Sequence, residues 1–131
     1  MNPEVAFLGL LCATVGFLGL AAWTGRQRRI RPHLVCVACA ILGLGGAISF
    51  ALQVGERYDL AAAGLITPVH LTLARVATAT YLGPLITGPL VLAGRLRGRW
   101  HHRLAWLAFG LTIAATVTGA WMLLAAPRIG S

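Results

Sequence analysis

The segment from Pro68 to Ala93 most constrains the fold, because it is apolar enough to cross a bilayer yet carries polar groups and prolines. At 100° per residue, a helix places His70, Arg75, Thr78 and Tyr81 on one broad face. A guanidinium facing lipid costs roughly 2.5–3.5 kcal/mol, so this face is predicted to point into a helix bundle or a hydrated cavity. The four residues form a candidate intramembrane site; the alternative is a structural hydrogen-bonded cluster with Arg75 extending outward.

Two Gly-Pro pairs interrupt the second half of this segment, at Gly83-Pro84 and Gly88-Pro89. Each proline lacks a backbone N–H, so the carbonyl one turn earlier loses its usual donor. Such carbonyls need neighbouring helices, hydroxyl groups or water when they lie in a membrane. The third helix is therefore predicted to be proline-kinked and covered by other helices.

The composition places the chain in the membrane class, since 58% of its residues are hydrophobic and only 11% are charged. The predicted fold is all-α, a single domain over residues 1–131 that forms an up-and-down bundle of four transmembrane helices. The predicted helices cover about residues 4–23, 33–54, 68–93 and 104–126. Small side chains recur every four residues on the second helix and favour close helix packing: Cys39, Gly43, Ala47 and Ala51.

The arginines predict the orientation in the membrane. Four lie in the connection after the first helix and four in the connection before the last, whereas the middle connection has only Arg57. The positive-inside rule then places both basic connections in the cytoplasm and both termini outside. Basic residues that are all arginine, in a chain rich in Ala, Gly and Leu, indicate a bacterial inner-membrane protein. Because the charges are grouped between apolar segments, no nucleic-acid partner is predicted.

Three of the four histidines are predicted to share a layer at the cytoplasmic helix ends. His33 begins the second helix, and His101 and His102 precede the fourth. Because imidazole is a common metal ligand, His33 with His102 or His101 is a candidate site for haem b or a metal such as copper. The adjacent arginines favour haem, whose propionates are negative, over a bare cation. The simpler alternative is that these histidines only meet lipid headgroups. His70 is 31 residues from His101, about 46 Å along a helix, and belongs to another layer.

No catalytic motif occurs in the sequence. The three acidic residues all lie near predicted membrane ends: Glu4, Glu56 and Asp59. Paired-carboxylate chemistry and intramembrane proton pumping therefore lack candidate residues. An enzyme is not predicted.

The histidine pattern and the fourth helix resemble a bacterial family of small four-helix membrane proteins, the domain-of-unknown-function family 420. The likeness covers about residues 26–124, and its most specific parts are His102 to Trp106 and Thr118-Gly119 followed by Trp-Met-Leu. Some members of that family are linked to cytochrome oxidase maturation. The resemblance implies three shared histidines and one extra, His101; the shared ones are His33, His70 and His102.

The resemblance also implies a function. The expected protein is a non-enzymatic factor of the respiratory membrane that assists assembly of, or cofactor delivery to, a haem-copper oxidase. One alternative is a small b-type cytochrome with bis-histidine haem, and another is a non-catalytic accessory subunit of a membrane complex. In each case the expected partners are the lipid bilayer and a second membrane protein or another copy of the chain.

Overall fold

The computed structural model describes residues 2–129, which are almost entirely helical. The elements are α1 (Pro3–Arg26), α2 (Ile30–Gly55), a 3-10 helix (Leu60–Ala63), α3 (Ile66–Thr80), α4 (Leu82–Leu92) and α5 (Gly98–Ala125). Three of them, α1, α2 and α5, are long and apolar enough to cross a membrane. The predicted all-α class is confirmed, and the three apolar helices agree with a membrane protein. The four-helix bundle and the single domain stay predictions.

The segment predicted as one kinked helix is divided into α3 and α4, with Tyr81 between them. Because Pro84 has no N–H, the carbonyl of Thr80 lacks its α-helical donor, and the division falls at that point. The Tyr81 N–H forms a hydrogen bond with the carbonyl of Thr78, three residues earlier, at 3.2 Å, and this is not the four-residue spacing of an α-helix. With 15 and 11 residues, neither helix alone reaches the roughly 20 residues of a transmembrane span.

The last helix begins six residues before the predicted start near residue 104, because α5 starts at Gly98. Arginine is a good helix former, and no proline separates the basic residues from the apolar run that follows. The first turns of α5 therefore include His101 and His102. The Trp100 ring lies 5.9 Å from the Arg99 guanidinium and 5.5 Å from that of Arg103.

The chain forms two compact units, and the first comprises Met1–Ala62 with Ala125–Ser131. Within it, α1 and α2 pack closely through small side chains. A methyl group added at Gly43 would lie 2.6 Å from the hydroxyl oxygen of Thr14, which is fully buried. Gly43 and Ala47, two members of the predicted small-residue face, take part in this packing.

The buried positions of α2 follow a spacing of seven residues and not of four. Ala40, Ala47 and Val54 are each no more than 2% exposed, whereas Cys39 and Ala51 are only partly buried. A spacing of four drifts by about 40° at each step around a helix, whereas a heptad keeps facing its neighbour. The predicted small-residue face therefore turns away from α1 at its two end residues, Cys39 and Ala51.

The tail of the chain binds back to the start of α1 and the end of α2 within the first unit. Arg128 forms a salt bridge with Glu4 at 2.6 Å, and Tyr58 donates a hydrogen bond to the same carboxylate. Backbone hydrogen bonds from the Asp59 N–H to the Pro127 carbonyl and from the Ile129 N–H to the Arg57 carbonyl complete the contact. These bonds fix the tail over its described residues.

The second unit, Ala63–Leu124, contains α3, α4 and most of α5. Residues later in α3 and α4 contact residues earlier in α5, so α5 runs antiparallel to both helices. His70 meets Thr118, Tyr81 meets Thr112, and Thr87 meets His101. Although α3 and α4 are separate helices, both therefore pack along the same partner.

Large apolar side chains remain exposed on the outside of both units. Leu42 and Leu52 of α2 are 76% and 70% exposed, and Leu124 of α5 is 88% exposed. The buried positions are filled mainly by alanine. This distribution suits helices whose outer surface contacts lipid, where apolar exposure has no cost.

Candidate functional site

The polar side chains of the second unit form three contacts between a ring and a threonine, and the first joins His70 to Thr118. The His70 Nδ1 lies 3.2 Å from the Thr118 hydroxyl oxygen. The imidazole lies over Gly119, where an added methyl carbon would be 2.7 Å from the His70 Cε1 atom. Only glycine leaves enough space for the ring at this position.

The second contact joins Tyr81, the residue between α3 and α4, to Thr112 of α5. The two hydroxyl oxygens are 2.9 Å apart, and the residues are 8% and 4% exposed. A buried tyrosine hydroxyl needs a hydrogen-bond partner, since leaving it unsatisfied costs about 1–3 kcal/mol. This bond therefore anchors the division between α3 and α4 against α5.

In the third contact the helices exchange roles: the ring belongs to α5 and the threonine to α4. The His101 Nδ1 lies 3.1 Å from the Thr87 hydroxyl oxygen. The ring also packs beside Gly88, where an added methyl carbon would lie 3.5 Å from the His101 Cε1 atom. Thr87-Gly88 thus receives His101 much as Thr118-Gly119 receives His70.

The same hydrogen-bond arrangement recurs in these three ring–threonine contacts: His70–Thr118, Tyr81–Thr112 and His101–Thr87. Each threonine hydroxyl donates to a carbonyl four residues earlier in its own helix, to Ala114, Ala108 or Gly83. Since the hydroxyl proton is used there, the ring N–H or the phenol O–H donates to the threonine oxygen. Both histidines are thereby assigned a proton on Nδ1. The contacts connect helices and leave no buried side-chain polar atom unsatisfied among the described residues.

The predicted polar face divides in two in the structure. His70 and Tyr81 face α5, and the buried residue between them is Ala77. Arg75 and Thr78 are exposed, and the Thr78 hydroxyl donates only back to the carbonyl of Ala74 at 2.9 Å. The packed face is therefore narrower than predicted, because Arg75 lies about 140° around the helix from His70.

His102 points away from the contact made by its neighbour. It is exposed, and its Nε2 accepts a hydrogen bond from the Trp106 indole N–H at 3.0 Å. The two rings are T-shaped, with centroids 6.1 Å apart. In the neutral imidazole, the proton of His102 therefore lies on Nδ1.

His33 joins α1 to α2 in the first unit. Its Nδ1 lies 2.8 Å from the carbonyl oxygen of Ala21 and therefore donates to it. The ring packs against Gly25, where an added methyl carbon would lie 3.2 Å from Nδ1. A histidine beside a glycine on the facing helix thus occurs in this unit too.

The candidate haem or metal residues are distributed over both units, with His33 in the first and His101 and His102 in the second. Their pairing stays a prediction. Within the second unit, the partners of His70 and His101 show that these rings lie 17 residues apart along α5, about 25 Å. Over residues 2–129 there is also no group of three His, Cys, Asp or Glu side chains able to hold a metal ion. Neither unit alone fits a bis-histidine haem.

The residues not identified from the sequence are the threonines that receive the rings: Thr87, Thr112 and Thr118. Threonine is common in membrane helices because its hydroxyl can bond within its own helix, so a lone threonine carries little information. The available signal was the repeated Thr-Gly pair, at Thr87-Gly88 and Thr118-Gly119. Each pair supplies an acceptor and a space in consecutive residues.

Comparisons of the chain with protein-family models, with curated proteins and with solved structures find no match. The resemblance to the family of oxidase-linked four-helix proteins stays a prediction.

Proposed function

We propose that this chain is a non-enzymatic, multi-pass protein of the bacterial respiratory membrane that assists assembly of a haem-copper oxidase or delivery of its cofactor. It crosses the inner membrane four times with both termini outside, and α3 and α4 together make the third crossing. The oxidase connection is supported by the histidine pattern and by the likeness of the last helix to the oxidase-linked family.

One structural observation favours a binding role over a chemical one. His70, Tyr81 and His101 bond to threonines of facing helices. Arg75 instead is exposed, on the side of α3 away from the ring–threonine contacts. Helices that are joined to one another by hydrogen bonds, with a charged group inside the proposed third crossing on the side away from those bonds, suit recognition of another membrane protein.

The alternative, a small b-type cytochrome, is favoured by the geometry of His33 alone. Donation from Nδ1 to a backbone carbonyl fixes the ring orientation and makes Nε2 the basic nitrogen, as in many metal-ligating histidines. His102 fits less well, because its Nε2 already accepts from Trp106. Iron could bind that nitrogen only after the indole bond is broken.

Deletion of the gene tests the leading proposal. Oxidase activity per oxidase polypeptide should fall, because the polypeptides are made but their assembly or cofactor loading is incomplete. Unchanged oxidase activity would contradict an assembly role and favour an accessory subunit.

An absorbance spectrum of the purified protein tests the alternative. A b-type cytochrome predicts a reduced-minus-oxidised haem signal that is abolished in His33→Ala and retained in His70→Ala, the matched histidine variant. The assembly factor predicts a colourless protein. A haem signal at one equivalent per chain would contradict it.

A further inference from the structure

We infer that Arg75 lies at the centre of a helix-docking surface on α3 that binds a transmembrane helix of a different protein through a carboxylate. This inference rests on the proposed third crossing. The surface, termed the Arg75 surface, consists of Leu71, Arg75 and Thr78 of α3 with Leu82, the first residue of α4. All four residues are exposed, Leu71 by 38% and Leu82 by 60%.

The spacing within the Arg75 surface is that of a helix–helix seam. Leu71, Arg75 and Thr78 follow one another at four and three residues and so keep to one side of α3, and Leu82 begins α4 just beyond the division at Tyr81. The ring–threonine contacts occupy another side, where Ala77 and Tyr81 are buried. An apolar residue at each end and a polar pair between them match a surface that packs and also specifies its partner.

The depth of Arg75 makes a polar partner necessary. Arg75 is nine residues beyond Ile66, the start of α3, or about 13–14 Å along the helix. The proposed third crossing extends from Ile66 to Leu92, and Arg75 lies four residues, about 6 Å along the helix, from its midpoint, well within a hydrocarbon core that is roughly 30 Å thick. Charged residues at such depth face protein or water and pair with opposite charges. Among the described residues, the only salt bridge joins Arg128 to Glu4 and does not involve Arg75.

The partner carboxylate cannot come from a second copy of this chain. The sequence has only three acidic residues. Glu4 lies in the first turn of α1 and pairs with Arg128, Glu56 follows the last residue of α2, and Asp59 accepts hydrogen bonds at the start of the 3-10 helix. All three are at helix ends, whereas Arg75 is within one. The partner is therefore another protein with an Asp or Glu inside a membrane span.

A designed peptide pair tests this inference with the full-length protein in phosphatidylcholine vesicles. One peptide is a polyleucine transmembrane helix with a single central Asp, and its match has Leu at that position. Energy transfer between labelled protein and labelled peptide reports binding. The wild-type protein should bind the Asp peptide about tenfold more tightly, because a polar pair between membrane helices contributes about 1–2 kcal/mol.

Three variants connect the preference to this residue. Arg75→Leu should bind both peptides equally, and Arg75→Lys should retain most of the preference because it keeps the charge. Arg57→Leu makes the same chemical change outside the spans and should retain the tenfold preference. Equal binding by the wild-type protein, or a preference that persists in Arg75→Leu, would overturn the inference.

The peptide assay and a measurement of the protein's self-association test two other partners. If phosphatidylglycerol in the vesicles abolishes the preference, lipid phosphate satisfies the guanidinium and the inference is wrong. If Arg75→Leu abolishes self-association of the protein, a second copy occupies the surface, and the inference is again wrong.

Labelling separates this inference from the proposed third crossing. In a cysteine-free background, Thr78→Cys should resist a water-soluble maleimide. Labelling would overturn both the crossing and the inference, whereas protection without any peptide preference would overturn the inference alone.

Discussion

Replacing Gly119 with alanine should disrupt the contact between α3 and α5 at His70. The new methyl carbon would lie 2.7 Å from the His70 Cε1 atom and 3.2 and 3.3 Å from the two ring nitrogens. All three distances are shorter than an ordinary carbon contact of about 3.5–4.0 Å. The ring must therefore move, and its bond to Thr118 is lost.

The change in the free energy of unfolding is the sum of two destabilising effects and one stabilising effect. Overpacking costs about 1–3 kcal/mol, and the lost hydrogen bond costs about 0.5–1.5 kcal/mol. Alanine recovers about 1 kcal/mol because it favours the helix more than glycine does. The free energy of unfolding of Gly119→Ala should therefore fall by about 0.5–3.5 kcal/mol.

Reversible unfolding in mixed detergent–SDS micelles, followed by circular dichroism, measures this change. Gly110→Ala is the matched control, because this glycine is in the same helix and an added methyl group meets no atom within 4 Å. In a His70→Ala background, Gly119→Ala should be neutral or stabilising, which gives a coupling energy of about 2 kcal/mol. The structural reasoning is refuted if Gly119→Ala and Gly110→Ala change the free energy of unfolding equally. It is also refuted if Gly119→Ala lowers that free energy by the same amount with and without His70.

Three further substitutions are measured by the same titration. Gly43→Ala places a methyl carbon 2.6 Å from the Thr14 hydroxyl oxygen and should cost about 1–3 kcal/mol, whereas Gly45→Ala meets open space and should be near neutral; equal effects would contradict the close packing of α1 and α2. Arg28→Gly should stabilise the protein by about 1 kcal/mol, because Arg28 has a φ of 56°, which favours glycine; no gain would contradict that backbone assignment. Thr112→Val removes the acceptor of the buried tyrosine hydroxyl and should cost about 1–3 kcal/mol; no loss would show that this hydroxyl has another partner.

Much of the fold could be predicted because hydropathy and helix-breaking residues are local properties. Apolar length alone predicts α1, α2 and α5, the three helices long and apolar enough to cross a membrane, and the Gly-Pro pairs indicate a disturbance in the third segment. The disturbance takes the form of a division at Tyr81, three residues before Pro84, because the missing donor affects the carbonyl one turn earlier. The structure has α5 begin earlier than the sequence predicts, because clustered arginines are typical of a loop between membrane helices although arginine is also a good helix former.

The candidate site was harder to predict because a helical wheel gives angles but not the direction of the neighbouring helix. His70 and Arg75 were correctly separated by about 140°, but which of them faces α5 depends on where that helix packs. The small side chain at Ala77 could have indicated the packed side. The bond to Thr118 depends on the register between α3 and α5, which no local pattern of the sequence specifies.

Oxidase turnover in a deletion strain that carries single variants tests the proposed function most directly. Turnover per oxidase polypeptide should be low in the deletion strain and restored by the wild-type gene. Arg75→Leu should fail to restore it, because the Arg75 surface then lacks the charge that binds the partner, whereas Arg57→Leu should restore it. Full turnover in the deletion strain, or full restoration by Arg75→Leu, would contradict the account.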